Sequence, residues 1–390
     1  MDHANTTRPV VMTVIAGLDI GNNDGGAERA GAQMALSTDQ SAFRPVLCVF
    51  WRTGSAVEHE WETRMFQAAI PVVFATRAGL RRNSLDAVAG IRGVLTHARA
   101  QHADVIHAHH EGGALAAALA RLRGWTRVAL RSMHVPRDLE WGRGAAGATL
   151  RALVSGIVLP LALDEEVAIA HWYAAGYDRR IMARLLRRHA RVIVNSRTLP
   201  VEAPRSRNLN SPVTIGTVGR LIAQKDLRTL IEALPAVLAR CARRPFVCQI
   251  IGDGELRAGL EAQVRQLGLQ QQVIFLGQRA DAIDLMRQLD IFVFSSAWEG
   301  VPTALLEAIA LGVPVVATAA PGTRDVIGAE HALLTPPGDA PALADAIVSA
   351  LADPERSRQR ALAAQLLLPG YSIEAAAAAY AERYRALLGR

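Results

Sequence analysis

The chain is predicted to be an α/β protein built from two doubly wound parallel-sheet domains. Three observations predict this. Short β-branched runs alternate with longer Ala- and Leu-rich stretches of helical period from Val10 onward. The alternation stops in a stretch rich in Pro, Ser and Asn and then restarts. Finally, 390 residues at 51% hydrophobic are enough chain for two sizeable cores.

In the first alternation "VVMTVIAGL", "RPVLCVFW", "IPVVFAT", "ADVIHAHH" and "TRVALRSMHV" read as strands separated by helices, the pattern of a Rossmann-like domain. The second begins at "PVTIGTVGRL" and continues through "FVCQIIGD", "QVIFLG", "DIFVFSS" and "VPVVATAA". Between them "TLPVEAPRSRNLNSP" reads as a linker, giving domains at residues 1–205 and 206–370. Residues 371–390 carry a closing helix, "IEAAAAAYAERYRALLGR", whose tyrosines and leucines are spaced for burial against one domain or the other. Two such domains place the carboxyl ends of both sheets across a central cleft, where open α/β sheets take their ligands.

Composition excludes several classes. The run "VVMTVIAGL" is short, follows a single arginine and leads into a glycine loop, so it reads as a first strand rather than a signal peptide. The apolar stretch 152–163 falls well short of the ~20 residues that span a bilayer and carries a proline, as a buried or interfacial helix would. Cys48, Cys241 and Cys248 have no paired spacing and lie in apolar stretches, as expected of reduced, buried thiols in a cytoplasmic protein. No Gly-x-Gly-x-x-Gly with a following acidic residue opens either domain, which disfavours a dehydrogenase.

Residues 1–205 hold 25 arginines against 18 acidic residues, so the net charge of +7 sits in the first half. Within it, Arg180, Arg184, Arg187, Arg188 and Arg191 alternate with Ile181, Leu185 and Leu186 at helical spacing. Such a segment can lie on an anionic membrane surface, peripheral at the inner membrane face; an ordinary solvated helix is the other reading. No aromatic-interleaved basic patch or finger motif accompanies the charge, so no nucleic-acid partner is expected.

Lys225 is the only lysine in the chain. It follows the strand "TIGTVGRL", which also delivers Arg220, and precedes a helix with Asp226 as its expected N-cap. An arginine fork beside a compact ammonium suits a departing diphosphate; an exposed loop lysine is the alternative. In "SSAWEGVPTALLEAIALGVPVVAT", Glu299 falls in a loop and Glu307 about a turn into a helix starting near Thr303. First-turn amides there suit an anion or sugar hydroxyls, and a carboxylate near a helix start can accept from a ribose diol or simply offset the dipole. In the first domain Gly25 and Gly26 precede a helix, as a close-approach loop or a plain turn. His107 and His109 share a strand face in "HAHHE", but no third zinc ligand is recognisable, and His134 reads equally as a cleft residue or a structural histidine.

These pieces together, "GGAERA", "DVIHAH", "VGRLIAQKDL", "IIGDGELR", "VIFLGQR" and above all "EGVPTALLE" with its Glu-x7-Glu spacing at Glu299 and Glu307, resemble the family 4 retaining glycosyltransferases of GT-B fold. The resemblance covers nearly all of the second domain and is patchier in the first. It implies transfer of a sugar from a nucleoside-diphosphate donor to a glycan or lipid-linked acceptor hydroxyl, with no metal or other cofactor. It implies that Arg220 and Lys225 bind the diphosphate, that Glu307 holds the ribose, and that Glu299 with the backbone of Gly300, Val301, Pro302 and Thr303 meets the donor sugar. Asp253, Gly254, Gly277 and Arg279 would lie near the base, and His109 would contact the transferred sugar.

The chain departs from the family pattern in three places. "GLDIGNNDGGAER" is longer than the usual glycine loop, 195–220 is shorter and lacks an Asn-Gly-Val/Ile-Asp element, and "LVSGIVLPLALDEEVAIAHWYAAGYD" matches poorly. The altered glycine loop and the shortened 195–220 motivate the alternative of an inactive nucleotide-sugar-binding protein; a nucleotide-sugar epimerase of the same fold is a second alternative.

Overall fold

The computed structural model describes residues 8–20, 26–79, 84–134, 153–194, 201–204, 212–241 and 246–389. Strand β1 (Val10–Ile15) is buried at every position, which is why VVMTVI shows no polar alternation: a parallel strand covered on both faces needs apolar side chains throughout. It is followed by α1 (Gly26–Leu36), β2 (Arg44–Val49), α2 (Ala56–Gln67), β3 (Val72–Phe74), α3 (Ser84–Ala100), β4 (Val105–Ala108), α4 (Glu111–Leu122) and β5 (Val128–Met133). A π-turn (Val154–Val158) runs into α5 (Leu159–Ala162), then come β6 (Glu165–Ala168), α6 (His171–Asp178), α7 (Ile181–Leu185) and β7 (Arg191–Val192). All seven strands are parallel, in the order β3-β2-β1-β4-β5-β6-β7.

The second sheet repeats the plan. Its elements are β8 (Val213–Val218), a 3-10 turn (Ala223–Lys225), α8 (Leu227–Arg240), β9 (Phe246–Ile251), α9 (Arg257–Gln266), β10 (Val273–Gly277), α10 (Ala282–Arg287), β11 (Ile291–Phe294), α11 (Thr303–Ala310), β12 (Val315–Thr318), β13 (Leu333–Thr335), α12 (Ala340–Ala352) and α13 (Pro354–Gln365). The parallel order is β10-β9-β8-β11-β12-β13. Counted within each sheet, both read 3-2-1-4-5-6, with β7 added beyond the sixth strand of the first, and the strand order reverses between the first and fourth strands. Loops leaving those two strands part to opposite faces and open a crevice at their carboxyl ends.

The closing helix α14 (Ile373–Leu388) packs on the first sheet. Ile373, Ala376, Ala377, Tyr380, Ala381, Tyr384 and Leu387 form its buried face and join a core with Val11, Val105, Leu130 and Val167. Ser372 caps it by accepting from the Ala375 amide at 3.1 Å, and Arg383 grips Glu165 on β6, with Nε donating to Oε1 at 3.0 Å. The chain therefore forms one unit from Met1–Arg197 with Ser372–Arg390 and a second from Thr198–Tyr371.

Three sequence expectations are altered here. The stretch expected as a linker is, at residues 201–204, part of the second unit: the Glu202 amide donates to Ala310 O at 2.8 Å, and its carboxylate takes the Arg287 fork at 2.7 and 2.9 Å. The arginine-rich segment is not one helix. Helix α6 stops at Asp178, α7 has five residues, Arg187 takes φ of 51°, and Arg191 lies in β7. Two of the segment's arginines turn inward rather than lining a solvated face, Arg180 Nη1 donating to Ser155 O at 3.0 Å and Arg188 Nη1 to Pro160 O and Leu163 O at 2.6 Å each. Finally, the poorly matching segment supplies β6, whose Glu165 and Glu166 hide the strand pattern.

Candidate active site

In the second unit the carboxyl end of β8 delivers Arg220 and the 3-10 turn carrying Lys225, and that of β11 delivers Glu299. These are the strands flanking the reversal of order. Lys225 Nζ lies 2.7 Å from Glu299 Oε1, and Gln224 Nε2 donates to Oε2 at 3.0 Å, so both carboxylate oxygens are held. Glu299 is buried, and Lys225 Nζ also lies 5.3 Å from the centroid of the Phe294 ring, whose face favours a cation. The two loops are tied through backbone as well: Ser295 Oγ donates to Lys225 O at 2.9 Å, and the Ala297 amide to Gln224 O at 2.8 Å. A small cavity of about 10 Å³ opens here, lined by Thr217, Gly219, Arg220, Lys225, Phe294 and Ser296. Arg220 is exposed, and no acidic group among the described residues pairs with it.

Asp226 does not cap α8 through its side chain as expected. It sits at the N-cap position with φ of 43°, and its carboxylate accepts from the Thr229 hydroxyl at 2.7 Å instead of a backbone amide. Thr303 also departs from expectation, because its amide is spent on Val301 O at 2.9 Å. Gly300, Val301 and Pro302 form the approach to α11, and Glu307 is half-buried in its second turn. Asp253 and Gly254 follow β9, and the Asp253 carboxylate accepts from the Gly254 amide and from Arg257 Nη1, both at 2.8 Å, which holds its pKa below the ordinary carboxylate range. Gly277 closes β10, its carbonyl accepting from the Gly252 amide at 2.8 Å. Arg279 is exposed with its fork on Asp281 at 2.7 Å twice, so it is engaged by a neighbour rather than aimed at the Lys225 cluster.

Gly25 lies outside the described residues; Gly26 opens α1, and a Cβ there would meet nothing within 4 Å. His109 follows β4 at the equivalent reversal point of the first sheet. It is buried, its Nδ1 lies 2.9 Å from His134 Nε2, and its Nε2 has no hydrogen-bond partner among the described residues. Burial pushes its pKa down, with His107, His134 and His110 adding to the shift, so the ring is neutral. His107 is committed elsewhere: Nδ1 to the Tyr384 hydroxyl at 2.7 Å, Nε2 to Ser132 Oγ at 2.8 Å, and Ser132 to Tyr380 at 2.6 Å. With both ring nitrogens engaged it has no lone pair to offer a metal.

The sequence reading missed Gln224, Phe294 and Gly31. A Cβ on Gly31 would stand 2.4 Å from Ile15 Cγ2 and 3.2 Å from the His109 ring, so α1 packs closely on β1 and on that histidine. No local signal marks Gln224 or Phe294; adjacency to the lone lysine was the available hint for the former.

Two Rossmann-like units of this strand order define the GT-B class, and solved structures of that kind superpose on nearly the whole chain. HepE of Anabaena in complex with UDP and glucose gives a TM-score of 0.73 at 20% identity over 97% of this chain and 100% of that one. Sucrose-phosphate synthase of Thermosynechococcus elongatus gives 0.76 at 19% identity over 98% and 100%. Within that class, residues 202–366 match the family model of glycosyl transferases group 1. The lipopolysaccharide core biosynthesis glycosyltransferase LpsE of Rhizobium meliloti is 33% identical over 212 residues, 53% of this chain and 60% of that protein. The 2-deoxystreptamine N-acetyl-D-glucosaminyltransferase of Streptomyces fradiae is 33% identical over 202 residues, 49% of this chain and 48% of its own. The chain thus spans about half the length of these curated relatives.

Proposed function

We propose that the protein is a retaining glycosyltransferase that moves a sugar from a nucleoside-diphosphate donor to a hydroxyl of a lipid-linked or polysaccharide acceptor, in the cytoplasm at the inner membrane face. The observation that carries this reading is the Lys225–Glu299 pair, held at 2.7 Å where the strand order reverses. Each partner is suited to half of a nucleotide sugar. A diphosphate would take the ammonium, adding the unpaired fork of Arg220, and so offset the charge that grows on the leaving group as the glycosidic bond breaks. Released from Lys225, Glu299 Oε1 would accept from a hydroxyl of the donor sugar while Gln224 keeps Oε2 in place. Glu307 would accept from the ribose, and the strand ends at Asp253, Gly254 and Gly277 would border the base. With two cations of its own at the diphosphate, this site would require no metal or other cofactor. His109 would present its open Nε2 to the sugar.

The test is thermal stabilisation by UDP, GDP, ADP and dTDP on the wild type, Lys225→Ala and Arg220→Ala. A nucleotide at 100-fold its dissociation constant should add ~2.7 kcal/mol to the unit that binds it. One base should act on the wild type, and both variants should lose most of its effect. Arg220 is exposed, so the second variant reads binding without disturbing the fold. Failure of all four at saturating concentration would overturn the reading. With the donor found, NMR of the product should show the donor's anomeric configuration, and EDTA should leave the rate unchanged.

A further inference from the structure

We propose that the face formed by residues 153–162 and α7 of the first unit seats on an anionic lipid bilayer. Leu153, Ile157 and Leu161 recur every fourth residue and so share one side of their helical segment, while Ile181, Leu185 and Leu186 stand out from α7. These six are between 38% and 76% exposed and make up six of the sixteen large apolar side chains exposed among the described residues. The two segments lie side by side: Arg180 and Arg188, on either side of α7, donate to the carbonyls of Ser155, Pro160 and Leu163. The apolar rows are therefore parts of one patch rather than scattered residues.

Its charge selects the occupant. Arg180 and Arg188 are consumed inward, but Arg179, Arg184 and Arg187 are exposed, and no acidic side chain among the described residues pairs with them. The acids close in sequence are engaged elsewhere: Asp164 by Arg121, Glu165 by Arg383 and Arg191, and Asp178 by His189. An apolar face rimmed by guanidinium groups matches the interface of an anionic bilayer, where the side chains insert shallowly and the arginines reach the headgroups. A second copy of the chain would bring like charges together across the contact. Among the described residues no helix is long and apolar enough to cross a membrane, so the face lies on the bilayer. The proposal gives a place to the membrane-side acceptor of the preceding reading, yet its test needs neither donor nor acceptor, so the two fail separately.

The experiment is co-sedimentation of the full chain with vesicles of phosphatidylcholine alone and of phosphatidylcholine mixed with phosphatidylglycerol. The wild type should pellet with the mixed vesicles only, and less at high salt. Leu161→Asp with Leu185→Asp, and separately Arg184→Glu with Arg187→Glu, should each weaken binding roughly tenfold or more, with unchanged thermal midpoints because all four sites are exposed. Absence of binding, equal binding to neutral vesicles, or full binding by either variant would overturn the proposal. So would a dimer in solution that the leucine variant dissociates.

Discussion

Lys225 reaches Glu299 because the backbone around the pair is bent in ways few residues allow. Asp226 holds a left-handed conformation that costs a non-glycine residue about 1–2 kcal/mol, and its carboxylate is steadied by the Thr229 hydroxyl. On the Glu299 side, Gly322 takes φ of 83°, and a Cβ on it would come within 2.3 Å of the Glu299 carbonyl oxygen. Gly322→Ala should therefore displace the Glu299 loop, lower second-unit stability by about 1–3 kcal/mol in urea unfolding and blunt the nucleotide response; an unchanged urea midpoint would contradict the close approach. The lone lysine was legible because composition made it stand out, and Glu299 because of its spacing to Glu307. The pairing of the two was not, since a contact across 74 residues leaves no periodic trace in the sequence.

Helix α14 shows the same limit one level up. The spacing of Tyr380, Tyr384 and Leu387 announces a buried face, but spacing carries no address, and both sheets offer apolar surfaces. The address is polar: the tyrosine hydroxyls meet His107 and Ser132 on β4 and β5. Tyr384→Phe should keep the packing while leaving His107 Nδ1 buried without a partner, a loss of about 1–3 kcal/mol in the first unit's denaturant stability. Tyr384→Phe unfolding at the wild-type denaturant concentration would show that bond to be dispensable. Strand β6 was missed for a related reason, because its two glutamates read as surface until Arg383, Arg131 and Arg180 are brought beside them.

Across the whole molecule the histidines are unevenly shared. His331 is the only one in residues 198–371, whereas the first unit holds the buried cluster. Burial pushes His107 and His110 down to about 3, and lowers His109 as well, against about 6.5 in an unfolded chain. Below that unfolded value the opened chain takes up protons that the folded unit refuses. Stability should fall as pH drops from about 6.5 toward 3, by up to about 1.4 kcal/mol per pH unit for each such group. Calorimetry between pH 7 and 5 should show the first unit's transition moving down while the second stays nearly still; a larger shift in the second would contradict the assignment. The doubled α/β alternation was legible from periodicity alone, though not the order of the strands. The division of the chain was not: it leaves the first unit at Arg197 and returns at Ser372. A ribosome therefore releases all of the second unit as one continuous stretch before the last helix of the first emerges. His107 and Ser132 wait for tyrosines made only after the whole second unit, so the unit begun first is completed after the other.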